Sequence, residues 1–159
     1  MLNAKVEPAP IFADNMVLQQ ESDAALWGKA TPGAKVTITG SWSKSKVTVT
    51  AGADGKWFAR IATPKAGGPY ELTFNDGDKL TLKNVLIGEV WICSGQSNME
   101  MQMKGYGSQP VKGSTDMIMT AKPSVPIRSC NIKRVLALDP AEECDATWYE
   151  HTPVGVSEA

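Results

Sequence analysis

The stretch "VLIGEVWICSGQSNM", residues 85–99, decides how the rest of the chain is read. From Val85 to Cys93 it is almost continuously apolar, the pattern of a strand buried on both faces, as in a parallel sheet. A polar turn follows in which Gly95 precedes Gln96 and Ser97. A glycine there lets the backbone turn sharply off the strand. A serine just past the carboxyl end of a parallel strand stands where open α/β sheets place their sites.

Upstream the pattern is different. From Met16 to about Leu82, short β-branched and apolar runs are separated by turn signals: "TPGA" at 31–34, "ADGK" at 53–56, "AGGP" at 66–69 and "NDGD" at 75–78. The runs "MVLQQ", "AALWGKA", "KVTITGSW", "KVTVTA", "KWFARIA", "YELTF" and "LTLKNV" read as strands, several of them alternating polar with apolar residues. Short antiparallel strands at this spacing predict a β-sandwich over residues 1–84, with Trp27, Trp57 and Phe58 in its core.

Downstream, residues 85–159 read as partial α/β. "STDMIMTAK" offers Ser114 or Thr115 as a helix cap, with Pro123 as the stop, and "IRSCNIKRV" reads as a second strand. "VGVSEA" places Ser157 as a cap ahead of an acidic first turn. A parallel sheet usually needs about four or more strands to bury its faces, so this half reads as the opening of a domain and not a whole one.

Composition narrows the partners. The 159 residues carry 16 basic and 17 acidic side chains, and neither sign forms a run that would attract nucleic acid or an anionic membrane surface. No apolar run approaches the roughly 18 residues of a membrane span, and "MLNAKVEPAP" lacks the apolar centre of a signal peptide. Either a cytoplasmic protein or a leader outside this sequence is expected. Cys93, Cys130 and Cys144 fit neither a disulfide scaffold nor a C-x-x-C zinc site, and Cys93, inside the apolar run, is expected to be a buried, inert thiol. The disulfide state of Cys130 and Cys144 stays open. No metal or cofactor is expected.

A serine hydroxyl is a weak nucleophile, so it needs a rigid turn, a nearby base and backbone donors aimed at the developing oxyanion. Gly95-Gln96-Ser97-Asn98-Met99 lacks the second glycine of the G-x-S-x-G elbow. On spacing alone the plainer reading is a serine that caps the next helix. Gln96 and Asn98 either position a substrate or tie down the turn through side chain to backbone bonds. Glu100 reads as a first-turn helix acid, and Met99, Met101 and Met103 as packing around the turn. Trp91 and Trp148 suit a core or a sugar ring. No aspartate is followed three residues later by histidine, and the one histidine, His151, is either a loop residue near Trp148 or a displaced base for Ser97.

The longer string "GEVWICSGQSNMEM" closely resembles the nucleophile block of the sialate O-acetylesterase family, a branch of the SGNH hydrolases. "IFADNMVLQQ", "LWGKATPGAKVTIT", "DGKWFARIATPKAGGPYELTF", "PSVPIRSCNIKRV" and "TWYEHTPVGVSEA" resemble other segments of that family, in order. The resemblance implies a β-sandwich followed by a flavodoxin-like SGNH domain, with Ser97 as nucleophile and its amide as an oxyanion donor. Gly95, Gln96 and Asn98 would form the surrounding oxyanion and substrate-positioning turn. The family's Asp-x-x-His base pair and remaining oxyanion groups lie beyond the matched region. Residues 1–159 alone are therefore expected to be inactive, and to need the C-terminal part of the hydrolase domain, in cis or as a companion. The implied substrate is an O-acetylated sugar, sialic acid first and acetylated xylan second, and the implied location is periplasmic or secreted. A reading from another class, a non-catalytic carbohydrate-binding sandwich, stands beside it.

Overall fold

The computed structural model describes residues 5–44 and 46–159. The chain is mostly β. In order it forms β1 (Glu7–Pro8), β2 (Val17–Gln19), β3 (Asp23–Lys29), β4 (Lys35–Gly40), β5 (Lys46–Thr50), β6 (Lys56–Ala62), β7 (Gly67–Asn75) and β8 (Lys79–Gly88). There follow α1 (Ser97–Glu100), α2 (Ser114–Thr120), β9 (Arg128–Ile132), β10 (Ala146–Glu150) and α3 (Pro153–Glu158). Strands β1-β3-β6 make one sheet and β2-β8-β7-β4-β5 another, while β9 and β10 pair as an antiparallel ribbon. Only the short β2–β8 pairing is parallel among the described strands.

Alternation builds the core. In β6 (KWFARIA) every second residue, Trp57, Ala59 and Ile61, is buried, and Val36 and Ile38 of β4 repeat the pattern. These residues join Leu26, Leu72, Phe74, Val85 and Ile87 in one cluster fed by both larger sheets. Trp57 leans on Phe74, ring centroids 5.6 Å apart, and its Nε1–H donates to the Lys29 carbonyl at 3.0 Å. The expectation for the other two aromatics is corrected by strand parity. Phe58 and Trp27 are register partners on the opposite side of the β3–β6 ladder, where Phe58 is 55% exposed and Trp27 half-buried.

The expected buried strand at 85–93 is also corrected. "LTLKNV" and "VLIG" form one strand, β8, because an extra residue resets its phase: Leu72 pairs with Leu82, but Tyr70 pairs with Val85. Asn84 sits at this bulge with φ 56°, so Leu82 before it and Val85 and Ile87 after it all point inward. Between Gly88 and α1 no described strand pairs with the chain, and Val90, Trp91, Ile92 and Cys93 are exposed. An apolar run becomes a buried strand only when neighbours cover both faces, and Cys93 is correspondingly not the buried thiol expected.

Three downstream readings change as well. β9 pairs antiparallel with β10, a strand the sequence reading left out. Gly113, at φ 79°, is the N-cap of α2, and Ser114 is its first, buried residue without a side-chain capping bond. For α3 the cap is Thr152, whose Oγ1 accepts from the Gly155 amide at 3.0 Å, with Pro153 opening the helix. Ser157 lies inside α3 and donates to the Val154 carbonyl at 2.7 Å. Gly155 is required by contact: a Cβ there would overlap the Glu150 carbonyl at the end of β10.

The bulge is also the joint between the two halves. Asn84 Nδ2 donates to Asn15 Oδ1 at 2.7 Å and to Glu150 Oε1 at 2.8 Å. Arg128 Nη2 approaches the same Glu150 oxygen at 3.3 Å, with its side chain 4% exposed. Beside this network Trp148 Nε1–H donates to the Ile11 carbonyl at 2.8 Å.

Candidate active site

The chain leaves β8 under control. Gln20 Nε2 and Gln19 Nε2 donate to the two carboxylate oxygens of Glu89 at 2.6 and 3.2 Å, and Val90 N–H donates to Gln19 Oε1 at 2.9 Å. These donors, Gln20 foremost, hold the Glu89 carboxyl below its ordinary range. Residues 91–96 then run to α1 without regular structure.

Ser97 is the first residue of α1, a single exposed turn. Gln96 is its N-cap and makes no side-chain capping bond, while its carbonyl accepts from Met99 N at 2.9 Å and Glu100 N at 3.2 Å. The Ser97 carbonyl accepts from Met101 N at 3.1 Å. Ser97 is therefore not the cap of this helix, and among the described residues the side chains of Gln96, Ser97 and Asn98 make no hydrogen bond. The Ser97 and Asn98 amides likewise have no acceptor among the described residues, as expected of the first positions of a helix. Gly95 is not in the left-handed region. It leaves room for Met99, whose side chain folds back where a Cβ would stand.

Two anchors hold this turn. Glu100, in the first turn of α1, pairs with Arg134 at 3.0 Å. Just beyond the helix, Met103 N donates to the Ala159 carbonyl at 2.8 Å, and Lys104 Nζ pairs with Glu158 at 2.6 Å. That lysine is the main cause holding the Glu158 carboxyl low. His151 lies half-buried in the bend between β10 and α3 and shares no hydrogen bond with Ser97. Among the described residues the turn thus leaves a hydroxyl and two amides unpaired, with no base in contact, and such groups are in general able to attack a carbonyl and to receive an oxyanion.

Other features lie elsewhere. An open groove of about 500 Å³ is lined by Phe12, Asp14, Leu80, Leu82, Thr147 and Trp148, and by none of Gly95–Asn98. Among the described residues no group of three or more His, Cys, Asp or Glu is arranged to hold a metal ion. Sequence reasoning missed Arg134, Asn84 and Arg128, for which spacing along the chain carries no signal because each acts through a distant partner.

No protein-family model matches the chain. The sialate O-acetylesterase of Mus musculus is 37% identical over a 154-residue alignment that covers 89% of this chain and 28% of that protein. That of Homo sapiens is 39% identical over a 103-residue alignment that covers 58% of this chain and 20% of that protein. Among solved structures, a carbohydrate acetylesterase from Xanthomonas citri matches with a TM-score of 0.87 at 27% identity, covering 97% of this chain and 34% of that one. The chain thus spans about a quarter of the length of the mouse relative. With its sequence matched across most of its length, as the resemblance implied, this chain is a homologue of curated sialate O-acetylesterases.

Proposed function

We propose that these residues are part of a serine carbohydrate esterase that removes O-acetyl groups from sialic acid. On this reading residues 1–84 are a β-sandwich and residues 85–159 open a flavodoxin-like SGNH hydrolase domain. Ser97 attacks the acetyl carbonyl, its own amide helps to hold the oxyanion, and Gly95, Gln96 and Asn98 shape the turn around the substrate. A histidine from the remainder of the hydrolase domain takes the serine proton and returns it to the departing sugar hydroxyl, and water then releases acetate. A secreted or periplasmic location belongs to the same reading; among the described residues no helix is long and apolar enough to cross a membrane.

The observation that carries this reading is the 37% identity to a sialate O-acetylesterase across 89% of the chain. The exposed side chains of Trp91, Ile92, Leu136 and Leu138 support the need for further packing partners around the second half. A broader acetylesterase reading, with acetylated xylan among its substrates, is favoured by the Xanthomonas neighbour.

The test is Ser97→Ala in the full-length enzyme, probed with a fluorophosphonate and assayed on O-acetylated sialic acid and acetylated xylan. Labelling should vanish and turnover fall by several orders of magnitude, as for other serine hydrolases that lose the nucleophile. A variant that labels like the parent, or keeps activity within about tenfold, removes Ser97 from the role. The ratio of the two substrates decides between the narrow and the broad reading.

A further inference from the structure

Lys29 and Lys56 stand directly opposite each other in the β3–β6 ladder, both on its exposed side. Like charges in that position repel. Consecutive glutamates from the segment between β9 and β10 relieve the repulsion: Glu143 meets Lys29 at 2.7 Å, and Glu142 meets Lys56. Each glutamate is the main cause that raises the pKa of its lysine. Near its other end the same segment supplies Arg134, which reaches Glu100 on the helix that begins with Ser97. Between these ends Leu136 and Leu138 are fully exposed, so apolar packing does not hold the segment down.

From this arrangement we infer that residues 133–145 are an electrostatic strap, through which the lysine pair on the β3–β6 sheet positions the turn that presents Ser97. Lys29, Lys56 and Arg134 are then positioning residues. The functional meaning rests on the proposed role of Ser97, whereas the mechanical coupling does not. Release at the lysine end frees Glu142 and Glu143, lengthens the unanchored segment and loosens Arg134 on Glu100. The helix then keeps its neighbours at Gln102, Met103 and Lys104, which bond the end of α3. Because all three ion pairs are exposed, added salt should have the same effect as removing the lysines.

The experiment uses the 159-residue chain and its K29M/K56M variant, at about 50 mM and 500 mM NaCl. Cleavage by trypsin after Lys133 and Arg134 reads the strap, and amide exchange at Met99, Glu100 and Met101 reads the serine turn. Neither readout needs activity, so a failed Ser97→Ala test leaves it intact. Exposed ion pairs change such equilibria by about two- to fivefold each. At low salt the double variant should therefore be cut, and should exchange at the turn, about four- to twentyfold faster than the parent. High salt should move the parent toward the variant and change the variant less than it changes the parent. Charge exchange, K29E/K56E with E142K/E143K, should restore the parental amide exchange at the turn, the readout that the two new lysines do not disturb. The inference is overturned if cleavage does not change, if cleavage accelerates while exchange at the turn stays the same, or if exchange at the turn is already complete in the parent.

Discussion

Replacing Glu150 should weaken the chain more than replacing its partner Arg128, although both substitutions delete the same ion pair. Arg128 is 4% exposed at its side chain, Glu150 35%. Remove Glu150 as E150M, and among the described residues the guanidinium keeps only the Ile127 carbonyl at 3.1 Å and Asn84 Oδ1 at 3.5 Å, with Nε unpartnered. A buried charge stripped of its partner should cost about 3–5 kcal/mol. Remove Arg128 as R128M, and the carboxylate left behind is partly in water and still accepts from Asn84 Nδ2 at 2.8 Å. Solvent screening then limits the cost to about 1–2 kcal/mol. The double variant carries neither charge and should fall near R128M, about 2 kcal/mol better than E150M. Urea unfolding followed by circular dichroism measures all four proteins, with equal m-values as the check that one transition is compared. Equal costs for the two single variants, or a double variant as weak as E150M, would refute the reasoning that the stranded charge sets the penalty.

Two further outcomes are expected. Thr152→Ala removes the side-chain oxygen that caps α3 and should cost about 1 kcal/mol, read as a lower urea midpoint, while Thr152→Ser should recover most of the loss. Burial, and secondarily charge on Cys144, pushes the Cys130 thiol up to about 11. At pH 8 only about a thousandth of it is thiolate, so iodoacetamide should label the exposed Cys93 first, and labelling of Cys130 should climb about tenfold per pH unit toward pH 11. The sign for stability follows: above the ordinary thiol value near 8.5 the unfolded chain loses this proton and the folded chain does not, so the contribution is present below that pH and lost on the way to 11. Equal labelling of the two cysteines at pH 8 would contradict this.

How much of the fold could be read from sequence depended on whether local pattern or distant pairing decided each element. β3 to β6 were legible because turn residues bracket runs that alternate, and parity alone then selects Trp57 for the core. Parity also excludes Phe58 and Trp27, which were expected beside Trp57 in the core. β8 was cut in two because its alternation breaks at Asn84, and a bulge looks the same in sequence as the end of one strand and the start of another. The cap of α3 was misplaced for a local reason. Thr152 before Pro153 and Ser157 before Glu158 both resemble a helix start, and proline at the first helical position settles the choice.

The serine turn was legible as a string and not as a geometry. "SGQSN" draws attention to Ser97, yet a sharp turn off a strand is not what Gly95 provides: β8 ends at Gly88, and Gly95 makes room for Met99. What holds Ser97 in place comes from Arg134, Ser157, Glu158 and Ala159, none of which lies near it in sequence. The bulge at Asn84 was hidden in the same way, since its partners Asn15, Arg128 and Glu150 are far along the chain. Both cases share one physical cause. Apolar periodicity reports which face of an element is covered, whereas the polar contacts that set one element against another depend on groups brought together only by folding, and those contacts are what position a hydroxyl for chemistry.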